Sequence, residues 1–295
     1  MKKVIFRGAA VAIITPFTED GVNFPELGRI LEDQLAHGTD AVVITGTTGE
    51  SSTMTDEEHK AAIKFAVEQV KGRVPVIAGT GSNETAYAIQ LSQYAEKVGA
   101  DGLLLVTPYY NTCTQQGLVK HFTAIADSVD IPVVLYDVPS RTGVGIKLET
   151  YVELAKHPRI VAVKEANGDL SAIARLRHAC GDSLTVYSGN DDQIVPILSL
   201  GGQGVISVLS NVVPQQTHDI CQLYFDGKVQ ESAALQLKLI DLIDALFSEV
   251  NPIPVKTAMR LLGYAAGPLR LPLCDMEPMP VEQLKTALKA HGLLA

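Results

Sequence analysis

The stretch Val98 to Tyr136, VGADGLLLVTPYYNTCTQQGLVKHFTAIADSVDIPVVLY, decides the fold. It opens on Val98-Gly99-Ala100-Asp101, where glycine suits the left-handed turn that ends a helix, and enters the unbroken apolar run Gly102 to Val106. Thr107-Pro108-Tyr109-Tyr110-Asn111 breaks that run, an amphipathic segment from Gln115 to Ser128 follows, and a second apolar run covers Pro132 to Tyr136. A strand that is apolar throughout instead of alternating is covered on both faces, so its neighbours are parallel and helices lie outside them.

Outward from this unit the pattern recurs. Apolar, β-branched runs stand at Ala10 to Thr15, Ala41 to Thr45, Val74 to Ala78, Ile160 to Lys164, Leu184 to Ser188 and Gly204 to Val208, which with the two above make eight. Helical periodicity fills Thr55 to Val70, Asn83 to Val98, Leu148 to Lys156 and Leu170 to Ala179 between them, the first opened by the capping box Thr55-Asp56-Glu57-Glu58. Eight β-α units without a dinucleotide loop fit an α/β fold of the closed (β/α)8 TIM-barrel kind better than a doubly wound sheet. Strands stop near Gly227, and helical segments are expected at Val229 to Val250, Val255 to Leu262 and Val281 to His291. The reading is thus a barrel over residues 1–227 with a C-terminal helical extension over 228–295.

Composition narrows the function. A formal net charge of −9 over 295 residues repels a polyanion, and no basic run interleaved with aromatics tracks a phosphate backbone, so nucleic acid is not expected as a partner. No apolar stretch approaches the roughly 18 to 20 residues of a membrane span. Arg7 and Thr15-Pro16-Phe17 argue against a cleaved leader. Cys113, Cys180, Cys221 and Cys274 form no C-x-x-C pair and read as free thiols, and the seven histidines show no metal-ligand spacing, so no metal or cofactor is expected.

Barrel enzymes place their chemistry where strands end at the C-terminal face. Lys164 closes the run from Ile160, so its amine is expected near the barrel axis. At an ordinary pKa only about 0.1% of a lysine is neutral near pH 7.5, and desolvation raises that fraction towards what a nucleophile needs. The plainer reading is a strand-end lysine that snorkels to solvent or pairs with Glu165. Tyr136 ends the adjacent strand, within reach of Lys164 across a spacing of about 4.8 Å, and can shuttle protons or simply pack. Arg141 on the following loop suits a carboxylate. Gly46-Thr47-Thr48-Gly49-Glu50-Ser51 offers amides and hydroxyls for a small carboxylate; it lacks the Gly-Lys-Ser/Thr of a phosphate loop.

Taken together, Gly46 to Ser51, Tyr136-Asp137-Val138-Pro139-Ser140-Arg141-Thr142-Gly143 and Val163-Lys164-Glu165 resemble the dihydrodipicolinate synthase family, whose superfamily includes N-acetylneuraminate lyase. The resemblance runs from about Gly8 to the C-terminus. It implies a Schiff-base lyase without cofactor, in which Lys164 forms an imine with pyruvate and the derived enamine adds to L-aspartate 4-semialdehyde. It implies a proton relay of Thr47, Tyr136 and Tyr110, the last given across a tight dimer interface. Thr48 and the backbone near Gly189 and Ile206 would hold pyruvate, and Arg141 the semialdehyde's carboxylate. A cytoplasmic homotetramer in lysine and diaminopimelate synthesis is implied as well. Lysine-inhibited members resemble this chain at Ser51, Ser52, His59, Asn83 and Tyr109 but differ where it has Asp56 and Tyr87, which implies weak or absent lysine inhibition. The competing expectations are an aldolase or lyase for a sugar-derived 2-oxo acid and a catalytically silent barrel that binds a small acid.

Overall fold

Eight runs with both faces apolar can be satisfied only by closing on one another, and in the computed structural model they do. The strands are β1 (Gly8–Ala12), β2 (Ala41–Ile44), β3 (Val76–Gly79), β4 (Gly102–Val106), β5 (Val133–Asp137), β6 (Ile160–Glu165), β7 (Thr185–Ser188) and β8 (Gly204–Ser207). Each pairs in parallel with the next, and β8 pairs with β1 to close the barrel. The structure describes Lys2 and residues 4–295; Met1, where the expected barrel segment begins, and Lys3 lie outside the described residues.

Strand alternation sorts the core into two layers. Ala10, Val43, Ile77, Leu104, Val134, Ala162 and Ile206 fill the barrel, while Val11, Val42, Ala78, Leu103, Val133, Val163 and Val205 face the surrounding helices. Phe6 stacks on Tyr187 at 4.2 Å, and its backbone carbonyl accepts the tyrosine's hydroxyl hydrogen bond at 2.7 Å, tying the segment before β1 to the barrel interior.

The expected elements are present with shifted bounds. The capping box forms as read: Thr55 Oγ1 accepts from the Glu58 amide at 3.2 Å and Glu58 returns the bond at 3.0 Å. β1 begins two residues before the expected Ala10, because Gly8 and Ala9 register with Gly204 and Val205; Ile14 gives its amide to Asn211 instead. The segment expected as one helix from Val229 to Val250 is two, Val229–Lys238 and Ile240–Leu246. Periodicity did not reveal the break at Leu239; in the first of the two helices Gln236 accepts from the Val195 amide and donates to the Asp192 carbonyl, each at 2.7 Å, which pins that helix to the barrel. Helices Ile253–Leu261 and Pro278–Ala290 complete the extension. Among the described residues no helix is long and apolar enough to cross a membrane.

Candidate active site

At the C-terminal mouth, Tyr136 and Lys164 are register partners on β5 and β6, and both point inward. Lys164 is 6% exposed, and its Nζ lies 4.4 Å from the centre of the Tyr136 ring. The pairing of Lys164 with Glu165 does not form. Alternation sends Glu165 through the opposite face, where its Oε2 is 2.9 Å from the Tyr151 hydroxyl. Lys164 is therefore held against an aromatic face in a cavity of about 190 Å³ that Thr47, Thr48, Tyr136, Arg141 and Gly189 also line.

The Gly46–Ser51 loop reaches this cavity through a left-handed turn at Thr45, which has φ 54° and is buried. A β-branched residue rarely adopts that conformation, so the surroundings must impose it. Gly79 makes the turn possible: a Cβ there would sit 2.4 Å from the Thr45 carbonyl oxygen. Within the loop the Gly49 and Glu50 amides are taken up by Gly46 and Thr47 carbonyls, at 3.0 and 3.1 Å. Those two amides are therefore not free for a ligand. Gly189 likewise donates its amide to the Glu165 carbonyl at 2.7 Å, which leaves its carbonyl as the atom available to the cavity. Ile206 sits below, fully buried among the interior side chains, and does not line the cavity.

Two expected residues lie at the rim. Arg141, on the one-turn helix Pro139–Thr142, lines the cavity and donates to the Asn251 carbonyl at 3.3 Å. Tyr110 is 95% exposed with φ 69°, outside the cavity, on a loop held by Asn83 to Tyr109 and Asn111 to Asn83 hydrogen bonds of 3.2 and 2.9 Å.

Asn251, from the extension, was not anticipated. It lines the cavity 6% exposed, and its amide donates to Thr48 Oγ1 at 3.0 Å. With its lone pair engaged, the Thr48 hydroxyl keeps its hydrogen for a ligand, while Asn251 Oδ1 is buried without a partner. The loop is also fixed from below. Lys256 and Glu50, both fully buried, pair at 2.7 Å, and the amide of Arg270 donates to the other Glu50 oxygen at 3.1 Å. Burial lowers the pKa of Lys256 and Glu50 opposes that shift. Asp191 accepts from the Val208 and Leu209 amides at 3.1 and 2.9 Å; burial raises its pKa, and Lys164 is among the groups pulling it back. No sequence signal linked Asn251 or Lys256 to loops 200 residues earlier, since the Asn251-Pro252 dipeptide reads only as a helix boundary.

A second cavity of about 400 Å³ adjoins the first, sharing Thr47, Tyr136 and Arg141, and is lined by Ser51, Ser52, His59, Tyr87 and Tyr109. Asp56 lies behind Tyr87, accepting its hydroxyl at 3.1 Å and the Lys60 amine at 2.6 Å. Among the described residues no group of three or more histidines, cysteines and carboxylates could hold a metal ion.

Over residues 5–291 the chain matches the dihydrodipicolinate synthetase family. A 4-hydroxy-tetrahydrodipicolinate synthase of Clostridium perfringens (strain SM101 / Type A) is 58% identical over 290 residues, 98% of this chain and all of that protein. A dihydrodipicolinate synthase crystal structure superposes with TM-score 0.96 at 47% identity, covering 98% of this chain and all of that one. A solved monomeric dihydrodipicolinate synthase variant superposes with TM-score 0.96 at 42% identity, covering 98% of each chain. With a family match over nearly the whole chain, a relative 58% identical along its full length and solved structures that share the fold, the chain belongs to the dihydrodipicolinate synthetase family.

Proposed function

We propose that this chain condenses pyruvate with L-aspartate 4-semialdehyde, the reaction of a 4-hydroxy-tetrahydrodipicolinate synthase in lysine and diaminopimelate biosynthesis. The observation that carries the reading is the convergence of Lys164, Tyr136, the Thr47–Thr48 loop and Arg141 on one small cavity. Its volume of about 190 Å³ suits a three-carbon acid with a second small substrate at the rim.

The Lys164 amine attacks the pyruvate ketone, water leaves, and an imine forms. Loss of a methyl proton gives the enamine, whose carbon attacks the semialdehyde's aldehyde. Tyr136, beside the amine, moves these protons, with Thr47 and Tyr110 continuing the relay. Tyr110 would complete it from a second copy, as its exposure and strained backbone permit. Thr48, its hydrogen freed by Asn251, holds the pyruvate carboxylate; the Gly189 carbonyl can only accept a hydrogen bond from the bound substrate, and Ile206, expected beside it, packs beneath the cavity. No metal or other cofactor is needed, because the protonated imine that Lys164 forms takes up the electron pair left by the methyl proton. We assign residues 1–227 to the barrel and 228–295 to an extension that buttresses this cavity, and the enzyme to a cytoplasmic homotetramer.

The test is turnover of pyruvate with the semialdehyde, set against sialic acid and 2-keto-3-deoxygluconate. Faster cleavage of either sugar acid would overturn the assignment. Arg141 tests the second substrate separately. Losing a charged hydrogen bond of about 1.5 to 3 kcal/mol, Arg141→Ala raises the KM for the semialdehyde about tenfold or more. Its KM for pyruvate should stay within threefold, and equal rises in both would contradict the assigned role.

The second cavity leads to a further prediction. Asp56, the carboxylate that could attract a ligand's ammonium, is already paired with Lys60, whose amine holds its carboxyl below the usual range. Tyr87, pushed up to about 12 first by burial and then by its bond to Asp56, stays a neutral donor to that carboxylate. Sub-millimolar L-lysine should therefore leave the rate unchanged, and strong inhibition in a titration would refute this.

A further inference from the structure

Directly behind Lys164 and Tyr136 lies a buried acid cluster for which the reaction above has no use. Asp137 and Glu165, the residues that follow them, are register partners on β5 and β6 and face outward together. Between them stands Tyr151 from the helix Leu148–Leu154. Its hydroxyl is 3.2 Å from Asp137 Oδ2 and 2.9 Å from Glu165 Oε2. The remaining oxygens accept backbone amides, Asp137 Oδ1 from Ile146 at 3.2 Å and Glu165 Oε1 from Asn167 at 3.1 Å. Exposure of the two carboxyls is only 2% and 1%.

Counting hydrogens decides the protonation. Tyr151 has one hydroxyl hydrogen and two carboxyl oxygens in contact with it. It can donate to one; the other contact is a hydrogen bond only if that carboxyl is itself an acid donating to the tyrosine oxygen. Two buried carboxylates on adjacent strands are also a like-charge pair without a cation, which favours one shared proton. We propose that Glu165, held as a neutral acid, donates to Tyr151, which donates to ionised Asp137, and that this chain is a positioning device fixing the spacing of Lys164 and Tyr136 from behind. None of the three touches substrate. The proposal rests on the roles given above to Lys164 and Tyr136.

The titration of the cluster agrees with this order. Burial and then the Asp137 charge push Glu165 up to about 8, whereas burial pushes Asp137 up to about 6. Burial first, then both carboxylates, holds the Tyr151 hydroxyl neutral well above its ordinary range. The acids are the charges that act on one another here; Glu153, on the same helix as Tyr151, is turned outward and paired with Lys156. Because Glu165 binds its proton more tightly folded than unfolded, its contribution to stability is fully present below 4.5 and is lost as pH rises to about 8.

Glu165→Gln supplies a permanent donor in the same shape. In infrared difference spectra, wild type minus E165Q should contain a carboxylic-acid C=O band at pH 7 that titrates away by pH 10. In melting experiments E165Q should gain on the wild type from pH 5 to about pH 8 and level off above it. Absence of the band, or parallel melting curves, would overturn the proton assignment, and neither reading needs catalytic activity. Tyr151→Phe tests positioning: kcat should fall tenfold or more, with a changed pH profile, while the pyruvate KM stays within threefold. Wild-type kcat across pH 6 to 9 in that variant would refute the positioning role. Should Y151F not fold, the E165Q measurements still decide the protonation on which it depends.

Discussion

Lys164→Arg is expected to lose every borohydride-trappable adduct with pyruvate and at least about 10³-fold in kcat, equivalent to about 4 kcal/mol of transition-state stabilisation. Arginine fills similar space and keeps a cation, but its guanidinium is never neutral at working pH and cannot attack a ketone. Reduction of the wild type with borohydride in the presence of pyruvate, followed by peptide mapping, should place the added mass on Lys164. Trapping on another lysine, or activity in K164R within tenfold of the parent, would sink the proposed chemistry. Melting temperatures separate loss of the nucleophile from loss of the fold, since Lys164 lies near the end of β6 against the Tyr136 ring and arginine keeps the cation that faces Asp191.

The largest effect on stability is expected from Lys256→Met. Its amine is fully buried and held by Glu50 at 2.7 Å and the Pro268 carbonyl at 2.8 Å, 4.6 Å from the centre of the Phe17 ring. Removing it strands the Glu50 carboxylate in a dry site, at a cost of about 3 to 5 kcal/mol. The melting midpoint should fall by about 5 to 8 °C, since about 2.1 cal/mol/K of unfolding entropy per residue over 295 residues gives roughly 1.6 °C per kcal/mol. The double variant Glu50→Gln with Lys256→Met should recover part of that loss, because no uncompensated charge remains. A K256M midpoint within 2 °C of the parent would show that the pair does not hold the two regions together. Activity should fall with stability, since Glu50 belongs to the loop that carries Thr47 and Thr48.

The placement of much of the candidate site was legible because strand ends are where an apolar run stops, and barrel chemistry sits at strand ends. Lys164, Tyr136 and the Gly46–Ser51 loop were found in this way. Glu165 shows the limit of reading neighbours along the chain. Beside Lys164 in sequence it looks like a partner, but alternation places it on the other side of the sheet, where it meets Tyr151. Arg141 could be named, yet nothing in its loop predicted that it would rest on the Asn251 carbonyl. Tyr110 could be assigned a role only by resemblance, because in one chain it points away from the cavity it is expected to serve.

What the sequence determined by itself is whatever depends on local order: the eight apolar runs, the capping box at Thr55, the glycine that ends helices such as the one before Gly99, and hence a closed barrel with Lys164 and Tyr136 on neighbouring strands. Tertiary structure alone decided which groups meet across hundreds of residues. Asn251 orients the Thr48 hydroxyl, Lys256 neutralises Glu50, Gln236 ties its helix to Asp192 and Val195, and Glu165 and Asp137 meet at the Tyr151 hydroxyl. The reason is physical. Periodicity reports which face of an element avoids water, a one-dimensional property, whereas the partner of a buried polar atom is set by packing in three dimensions and by the cost of leaving that atom unpaired.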